Sequence, residues 1–416
     1  MNYRERMIDK ELAARMRRAG AVLITGAKGC GKTETARRVA KSELRVDVDE
    51  SIEERMGVDP FLLLEGTKPR LIDEWQLQPK LWDYVRRAVD DSKQKGQFIL
   101  TGSAQPVSDV RFHSGVGRFS VMRMRPLSLL ELGFSSGEVY LSEVLKNQVP
   151  VTQTTEMTLD ELAVALMRGG WPGNLEKDDY DTMLSLRDDI DLLVESDVSR
   201  AIGKRTDPIK VRRLLHSFAR NIATEASLTT LTQDTQGEFE QLAANTTAGY
   251  IEALESLMVV ENLPAFNTHI RSSATLRKAS KKHLVDPSLA VAVLGLTPKD
   301  LLEDLSYFGL LFESMAVRDL RVYAQALNAK VYHYRDSTGL EVDAIVQQAN
   351  DTWAAFEIKL GRSFHDEAAA SLLKLSKLID PKKTKPPTSL NIITGFGFAY
   401  TRPDGVNVIP LSTLGV

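Results

Sequence analysis

GAKGCGKT, from Gly26 to Thr33, is the segment that most directly predicts the fold of the first part of this chain. It satisfies the pattern GxxxxGK(S/T), follows the apolar segment AVLIT and opens a helical pattern, the context that a phosphate-binding loop (P-loop) requires. Backbone N–H groups of such a loop curl around phosphates, and the positive end of the helix dipole adds to them. We therefore predict an ATP site made of the loop and the next residue: Gly26, Ala27, Lys28, Gly29, Cys30, Gly31, Lys32, Thr33 and Glu34.

Four residues of this region have predicted roles in ATP chemistry. Lys32 is expected to reach the β- and γ-phosphates, and Thr33 is expected to ligate Mg²⁺. Further along, RLIDEWQ ends an apolar strand with Asp73 and Glu74. Asp73 would hold Mg²⁺ through water, and Glu74 would orient or deprotonate the attacking water. Cys30 occupies a variable loop position, where a small filler is favoured over a reactive thiol.

Two further sets of residues are candidates for the catalytic part of this site. QFILTGS ends another strand at Thr101 and Ser103, whose hydroxyls could bond the γ-phosphate or the attacking water. A strand followed by a polar turn is the alternative interpretation. Fast hydrolysis also requires an arginine, and Arg118 in GVGRF and Arg111 are the candidates, with a surface arginine as the alternative for each.

Composition bounds the class of protein. The 416 residues are 43% hydrophobic and 26% charged, which is typical of a soluble protein of two or three domains, and we predict three: residues 1–135, 136–300 and 301–416. A net charge of -3 argues against a wholly basic nucleic-acid binder. The single Cys30 excludes an internal disulfide framework and favours the cytoplasm, and no segment approaches the ~18 apolar residues of a membrane span. The charged opening segment is interpreted as a helix packed on the first domain, with a basic amphipathic surface as the alternative.

The first and second predicted domains differ in their patterns. From Ala21 to about Met124, strands alternate with helices, which predicts a parallel sheet. Residues 208–285 read as three helices, the framework of a winged helix-turn-helix, with a protein-contact module or an ATPase lid as alternatives. Two basic clusters favour DNA or another nucleic acid as a partner: Arg200, Lys204, Arg205, Lys210, Arg212 and Arg213, then Arg271, Arg277, Lys278, Lys281 and Lys282.

The third predicted domain, with a helix, three strands, a helix and a strand, carries a possible second site. Asp343, Glu357 and Lys359 alternate with apolar residues on neighbouring strands, so that they share one face. The carboxylates of Asp343 and Glu357 can hold Mg²⁺ or Mn²⁺, and Glu313 on the preceding helix could complete this metal site. Glu357 and Lys359 are the catalytic candidates for cleavage of a phosphodiester. A solvated polar face on an edge strand is the alternative.

The chain resembles the prokaryotic AAA-type (AAA_14) P-loop ATPases that carry a C-terminal DUF4143 domain. The residues that carry the resemblance are GAKGCGKT, LIDEWQ, FILTGS, GGWP from Gly169, FGLLFES from Phe308, GLEVDAIV and FEIKLG. The resemblance implies a RecA/AAA-like core, a winged-helix middle part and a restriction-endonuclease-like C-terminal fold, similar to PD-(D/E)xK nucleases.

The same resemblance assigns individual positions. It implies that Asp343, Glu357 and Lys359 lie on the nuclease motif, that Glu313 is the helix glutamate, and that Arg118 is the arginine ahead of the Pro-Leu-Ser turn at residues 126–128. The sequence departs from the family where Glu341-Val342 stands in place of a proline before the nuclease aspartate. We therefore expect an ATPase coupled to nucleic-acid binding, with cleavage in question. The alternative is an ATP-switched regulatory or binding module whose nuclease-like domain is inert, and either protein could form oligomers.

Overall fold

The computed structural model describes residues 3–102, 115–155, 157–235, 243–266, 279–382 and 384–416, and these form two compact units. Unit 1 comprises Met1–Pro126, Trp171–Gly173 and Ser256–Met258, and unit 2 comprises Leu127–Gly170, Asn174–Glu255 and Val259–Val416. The candidate residues Ser103 and Arg111 lie outside the described residues, as do Arg271, Arg277 and Lys278 of the second basic cluster.

Unit 1 is built on a five-stranded, wholly parallel sheet with strand order β2-β3-β4-β1-β5. Apolar side chains from the strands and from the helix that follows β3 form its core. Its elements in chain order are α1 (Met7–Arg18), β1 (Ala21–Gly26), α2 (Lys32–Arg37), β2 (Ser42–Arg45), α3 (Ile52–Val58), β3 (Arg70–Asp73), α4 (Leu81–Ser92), β4 (Phe98–Gly102) and β5 (Phe119–Met124).

The strand sequences explain why this sheet is parallel and covered. β1, β3 and β4 are buried along their whole lengths, as expected for strands of a parallel sheet with both faces covered. α4 buries Leu81, Val85 and Val89, which recur at helical spacing and face the sheet. Helix α1 buries Ile8, Leu12 and Met16 beside β1 and β5, so the charged opening segment packs on the first domain as predicted.

Unit 2 begins as a helical region, in agreement with the sequence prediction. Helices α10, α11 and α12 fall within residues 208–285 and are followed by isolated β-bridges at Val260–Leu284 and Leu263–Lys281. Whether they act as a winged helix-turn-helix stays a prediction. The elements of this part are α5 (Leu129–Leu132), β6 (Val139–Tyr140), α6 (Leu141–Val144), α7 (Leu159–Arg168), α8 (Asp179–Leu192), α9 (Val198–Ile202), α10 (Pro208–Arg220), α11 (Leu228–Asp234), α12 (Ala244–Ser256), α13 (Ser288–Leu294) and α14 (Pro298–Glu303).

The last part of unit 2 is a six-stranded mixed sheet with strand order β11-β12-β10-β9-β8-β7. β7, β8 and β9 are antiparallel neighbours, whereas β9, β10 and β12 run parallel. The predicted α/β architecture, with a parallel P-loop sheet, a helical middle and a C-terminal sheet, is thus confirmed. Its elements are α15 (Leu305–Ala326), β7 (Lys330–Arg335), β8 (Glu341–Gln347), β9 (Trp353–Lys359), α16 (His365–Leu378), β10 (Leu390–Thr394), β11 (Tyr400–Thr401), β12 (Asn407–Pro410) and β13 (Leu414–Gly415), which pairs with β6.

A buried ion network explains part of the family-like GGWP and Pro-Leu-Ser segments. Arg318 on α15 donates to Asp286 at 2.7 Å and to Asp319 at 2.8 Å, and all three side chains are fully buried. Asp286 accepts the backbone N–H of Gly170, and Asp319 accepts that of Leu129. A Cβ on Gly170 would lie 2.1 Å from the carbonyl oxygen of Leu127, so only glycine fits. These motif residues therefore hold backbone segments of unit 2 together.

None of the helices within the described part of the chain combines the length and apolar character needed to cross a membrane.

Candidate functional site

The predicted P-loop joins β1 to α2 at the carboxyl end of the parallel sheet. Gly29 and Gly31 have φ values of 80° and 100°, which side-chain-bearing residues rarely adopt. A Cβ on Gly26 would lie 2.3 Å from the carbonyl oxygen of Met124, so this glycine lets the loop pass close to β5. Cys30 is fully buried with its sulfur toward the same carbonyl, which agrees with its interpretation as a filler.

Lys32 lies against the loop that it follows. Its ammonium donates hydrogen bonds of 2.9 Å to the carbonyl oxygens of Gly26 and Ala27, and the residue is only 6% exposed. A buried positive charge among neutral carbonyls is suited to an incoming phosphate, because the lysine can exchange these acceptors for charged oxygens. The loop conformation and this lysine fit the triphosphate of ATP.

Asp73 lies at the centre of a group of hydroxyls. The Thr33 hydroxyl donates to its carboxylate at 2.9 Å, and Thr101 donates to the same oxygen. The strand order explains the meeting: β4 lies between β1 and β3, and parallel strands present their carboxyl ends at one edge. The structure thus brings together three of the residues predicted from separate motifs. A carboxylate beside a threonine hydroxyl is the oxygen donor set that Mg²⁺ uses with a nucleotide phosphate.

Glu74 follows Asp73 in an unusual backbone conformation. Its φ of 55° and ψ of 40° are left-handed, which costs a non-glycine residue on the order of 1–2 kcal/mol. Its half-buried carboxylate accepts a hydrogen bond from the Gln76 amide. A Cβ on Gly102 would lie 2.2 Å from the Gln76 side-chain oxygen, so Gly102 makes room for this amide. Gln76 and Gly102 stood inside quoted motifs, but no sequence signal assigned them this role.

Other residues beside the loop carried no sequence signal for it. The Arg6 guanidinium donates to the carbonyl oxygens of Cys30 at 3.0 Å and Arg125 at 2.8 Å. Trp171 and Pro172, which belong to unit 1, lie beside the glycines, at 3.8 Å and 3.4 Å from a Cβ built on Gly29 and Gly31 respectively. Part of the GGWP segment therefore packs against the P-loop.

The structure does not bring Arg118 to the P-loop. Arg118 precedes β5, and its carbonyl pairs with Ala21 at the start of β1, whereas the P-loop follows the end of β1. The strand between these positions spans roughly 17–20 Å at about 3.3 Å per residue. The Arg118 side chain instead forms a 2.7 Å ion pair with Asp90, and this pairing raises the pKa of Arg118. Arg118 therefore lies away from the P-loop of its own chain, and its role as the catalytic arginine stays a prediction.

The second predicted site assembles around Asp343 in unit 2. The β8–β9 register, continued by one residue, places Asp343 across from Glu357, which lies two residues before Lys359 on the same strand. The Lys359 ammonium lies 2.9 Å from Asp343 and 2.7 Å from Glu357. Asp343 also accepts the Ile358 backbone N–H at 2.9 Å. The shared face predicted from strand alternation is present in the fold.

Lys281 also enters this cluster, although it belongs to a run of basic residues in the sequence. Its ammonium lies 2.8 Å from Glu313, 2.7 Å from Glu341 and 3.2 Å from Asp343, and the residue is only 2% exposed. We call the six residues the carboxylate–lysine cluster: Lys281, Glu313, Glu341, Asp343, Glu357 and Lys359. No spacing in the sequence signals Lys281, because it reaches the strands from a distant segment.

Burial and charge shift the pKa values of the cluster in opposite directions. Burial, with the neighbouring Asp343 charge, raises the pKa of Glu313 to about 8 and that of Glu357 to about 9. The pKa of Asp343 is lowered despite its burial, because Lys281 and Lys359 face it. Burial opposes the charge on Lys281, but the three carboxylates raise its pKa well above the ordinary value. At neutral pH the raised pKa values keep Glu313 and Glu357 largely protonated, while Asp343 is ionised between the two lysines.

A divalent metal does not fit the carboxylate–lysine cluster as it stands. Lys281 already occupies the point that the oxygens of Glu313, Glu341 and Asp343 share. Across the described ranges, no group of three or more His, Cys, Asp or Glu residues is arranged to hold a metal ion. The metal predicted at Glu313, Asp343 and Glu357 therefore has no support from this geometry.

The basic clusters divide between surface and interior. Arg200, Lys204, Arg205 and Arg213 are exposed around α9 and the start of α10. Of the second cluster, Lys281 is buried, and Lys282 is partly buried and donates to Asn262 at 3.0 Å. α12, the third helix of the predicted helix-turn-helix, contains no lysine or arginine. Among the described residues of the two clusters, the exposed positive charge therefore lies on and between α9 and α10.

Three family models match the chain. One described as an AAA domain, AAA_14, matches residues 18–133, and domains of unknown function DUF8612 and DUF4143 match residues 159–300 and 308–414. Uncharacterized proteins of Mycobacterium tuberculosis and Mycobacterium bovis are each 26% identical to it over 361 residues, covering 84% of this chain and 73% of theirs. A solved Walker-type ATPase of Pyrococcus abyssi is 12% identical, covering 69% of this chain and 94% of its own, with a TM-score of 0.43.

Proposed function

The chain is an AAA-type P-loop protein with a C-terminal DUF4143 domain, and on that premise we propose that it binds ATP with Mg²⁺ and hydrolyses it. The observation that carries this proposal is the convergence of Thr33, Asp73 and Thr101 beside the P-loop. These residues lie on separate elements and meet at the carboxyl edge of the parallel sheet, beside the loop that would hold the phosphates of ATP. Mg²⁺, when bound there, neutralises charge that develops on the transferred phosphoryl group.

The residues of the P-loop region have separate roles in the proposed hydrolysis. Lys32 and the loop N–H groups would hold the phosphates, and Thr33 and Asp73 would hold Mg²⁺, Asp73 through water. Thr101 fixes the Asp73 carboxylate by its hydrogen bond. Glu74, whose carboxylate is positioned by Gln76, orients the attacking water and accepts its proton.

The test of this function is ATP turnover by Glu74→Gln. We expect turnover to fall by about 100-fold while ATP affinity is retained, because a general base typically contributes 10²–10⁴-fold to rate and little to ground-state binding. Glu54→Gln on α3 is the matched control, since it removes an exposed carboxylate in the same unit. Turnover of Glu74→Gln equal to that of Glu54→Gln would remove Glu74 from the mechanism.

We further propose that the nucleotide state controls binding of DNA or another nucleic acid by unit 2. The exposed arginines and lysines on and between α9 and α10 support this partner, because phosphate contacts by such side chains supply most non-specific affinity. Part of this positive charge is paired within the protein, because Arg212 lies 2.7 Å from Asp191. Cleavage is left out of the proposal because Lys281 occupies the centre that a metal would need.

Nucleic-acid binding is tested with labelled single- and double-stranded DNA in the presence of ATP, ADP or no nucleotide. The triple variant Lys204→Ala, Arg205→Ala and Arg213→Ala should bind more weakly, and the slope of log affinity against log salt should decrease by roughly 0.9 for each duplex phosphate that is no longer neutralised. The control removes as many exposed lysines from and beside α16: Lys374, Lys377 and Lys382. An equal loss of DNA affinity in the two triple variants, or a DNA affinity that is the same with ATP, ADP and no nucleotide, would contradict the proposal.

A further inference from the structure

The carboxylate–lysine cluster has a cation at its centre that belongs to the chain itself. Lys281 directs its ammonium at one oxygen each of Glu313, Glu341 and Asp343, at distances between 2.7 and 3.2 Å. An ammonium has three N–H donors and no acceptor, so three carboxylate oxygens match its bonding capacity. The three contacts come from α15 and from two positions on β8, and they include Glu313 and Asp343, two of the three residues predicted to hold a metal.

The backbone of Lys281 fixes it in this position. Its N–H donates to the Leu263 carbonyl at 3.1 Å, and its carbonyl accepts the Leu263 N–H at 2.9 Å. The side chain is 2% exposed, and the neighbouring His283 is buried and contacts the Ser314 hydroxyl at 3.1 Å. Lys281 therefore enters the cluster from a paired segment. It is not a surface side chain folded over a cleft.

Both oxygens of the Asp343 carboxylate already have an ammonium partner. Lys359 joins Asp343 to Glu357 on the other side of the Asp343 carboxylate. Asp343 thus has an ammonium on each oxygen, Lys281 on Oδ1 and Lys359 on Oδ2. A divalent ion bound through Asp343 would need one of these positions, and it would lie within a few ångströms of the remaining positive charge.

We propose that Lys281 is the resident cation of this site and replaces the divalent metal of a nuclease-like centre. Its ammonium joins α15 to β8 as a bound ion would, and the site does not take up Mg²⁺ or Mn²⁺ while Lys281 is present. The DUF4143 unit is then a nuclease-like fold whose acidic centre has a structural role. This inference does not rest on the proposed ATPase function, and its test does not use ATP.

The experiment measures Mn²⁺ binding to nucleotide-free, full-length protein by electron paramagnetic resonance. All proteins carry Asp73→Asn, so that the P-loop region does not contribute a metal site. With Lys281 present, the parent and its Asp343→Asn variant should bind the same amount of Mn²⁺. Lys281→Met should gain one bound Mn²⁺, at least about ten-fold tighter than any site of the parent. Adding Asp343→Asn to Lys281→Met should abolish that site.

The matched control is Lys281→Arg, which keeps a cation at the centre and should gain no Mn²⁺ site. One bound Mn²⁺ in the parent that is lost in Asp343→Asn would overturn the proposal, because the metal would then displace Lys281. A folded Lys281→Met, judged by circular dichroism, that gains no site would overturn it as well. If Lys281→Met does not fold, the comparison of the parent with Asp343→Asn still decides the question.

Discussion

The P-loop region of unit 1 and the carboxylate–lysine cluster of unit 2 use the same residue types in opposite ways. At the P-loop, Lys32 donates to neutral carbonyls and Asp73 accepts from neutral hydroxyls. In the cluster, Asp343 lies against the ammoniums of Lys281 and Lys359. The carbonyl oxygens that accept from Lys32 can be exchanged for phosphate oxygens, and the hydroxyls that donate to Asp73 can be exchanged for a metal or its water. Ionic partners use these charges within the protein.

A carboxylate and a lysine at the right spacing do not by themselves define a binding site. Whether these charges can bind a ligand depends on the groups that already pair with them. The two regions are therefore distinguished by removing one charge from each and measuring what changes. A loss of ligand affinity is expected at the P-loop, and a change in the stability of the fold is expected at the cluster.

The largest effect is expected for Lys32→Ala. Two charge-assisted hydrogen bonds to phosphate, each worth about 1.5–3 kcal/mol, would be lost, so ATP affinity should fall by roughly 100-fold or more. Titration with a fluorescent ATP analogue measures it. Lys41→Ala, an exposed lysine of the same unit, is the control and should leave affinity unchanged. If Lys32→Ala binds as tightly as the control, the P-loop lysine resembles the cluster lysines and the comparison fails.

A smaller effect is expected for Thr101→Val, which removes a neutral donor from Asp73 and nearly conserves volume. Loss of a hydrogen bond to a charged group costs about 1.5 kcal/mol, so turnover should fall by roughly ten-fold. ATP affinity should change little, because the Thr101 hydroxyl donates to Asp73 and would not itself hold a phosphate. Thr101→Ser keeps the hydroxyl and should keep the rate. Equal rates for the valine and serine variants would show that this hydroxyl does not position Asp73.

The cluster predicts a pH dependence of stability in the opposite sense to an ordinary ion pair. The pKa of Glu313 is raised from 4.5 to about 8 and that of Glu357 to about 9, chiefly by burial. A raised folded-state pKa gives stability that is complete below the unfolded value and is lost as pH rises through the folded value. The free energy of unfolding should therefore fall between about pH 5 and 9, by up to about 1.4 kcal/mol per pH unit for each proton.

Urea denaturation at several pH values measures this dependence. Over that window the lowered pKa of Asp343 and the raised pKa values of Lys281 and Lys359 keep these three groups charged, so they add no slope. Glu357→Gln is neutral at every pH and should flatten the curve, gaining stability relative to the wild type as pH rises. Glu367→Gln on exposed α16 surface is the control. A wild-type curve no steeper than that of Glu357→Gln would contradict the raised pKa.

The sequence predicts the P-loop region well because its signals are local. GAKGCGKT is one continuous segment, and Asp73 and Thr101 each end an apolar strand. Parallel strands of one sheet have their carboxyl ends at the same edge. Residues that local patterns place at the ends of such strands therefore lie close together in the fold. The strand alternation that placed Asp343, Glu357 and Lys359 on one face succeeded for the same reason.

The partners that decide the chemistry of the cluster could not be predicted. Lys281 is one lysine in a run of basic residues, and a basic run is usually a solvated face. Its burial depends on the pairing with Leu263 and on the position of α15, and both are long-range contacts. The contact of Arg6 with the P-loop could not be predicted either, because the charged opening segment carries no sequence signal for which of its residues lies beside the loop.

The smallest effect is expected for Arg118→Ala. In its own chain Arg118 lies at the amino end of the sheet and pairs with Asp90, an exposed ion pair of the kind that contributes little. Turnover measured at low protein concentration should therefore change by less than about two-fold. Turnover per chain is then measured over increasing protein concentration. If the wild type accelerates and Arg118→Ala does not, Arg118 acts on a second copy of the chain, and the P-loop region is completed only in an oligomer.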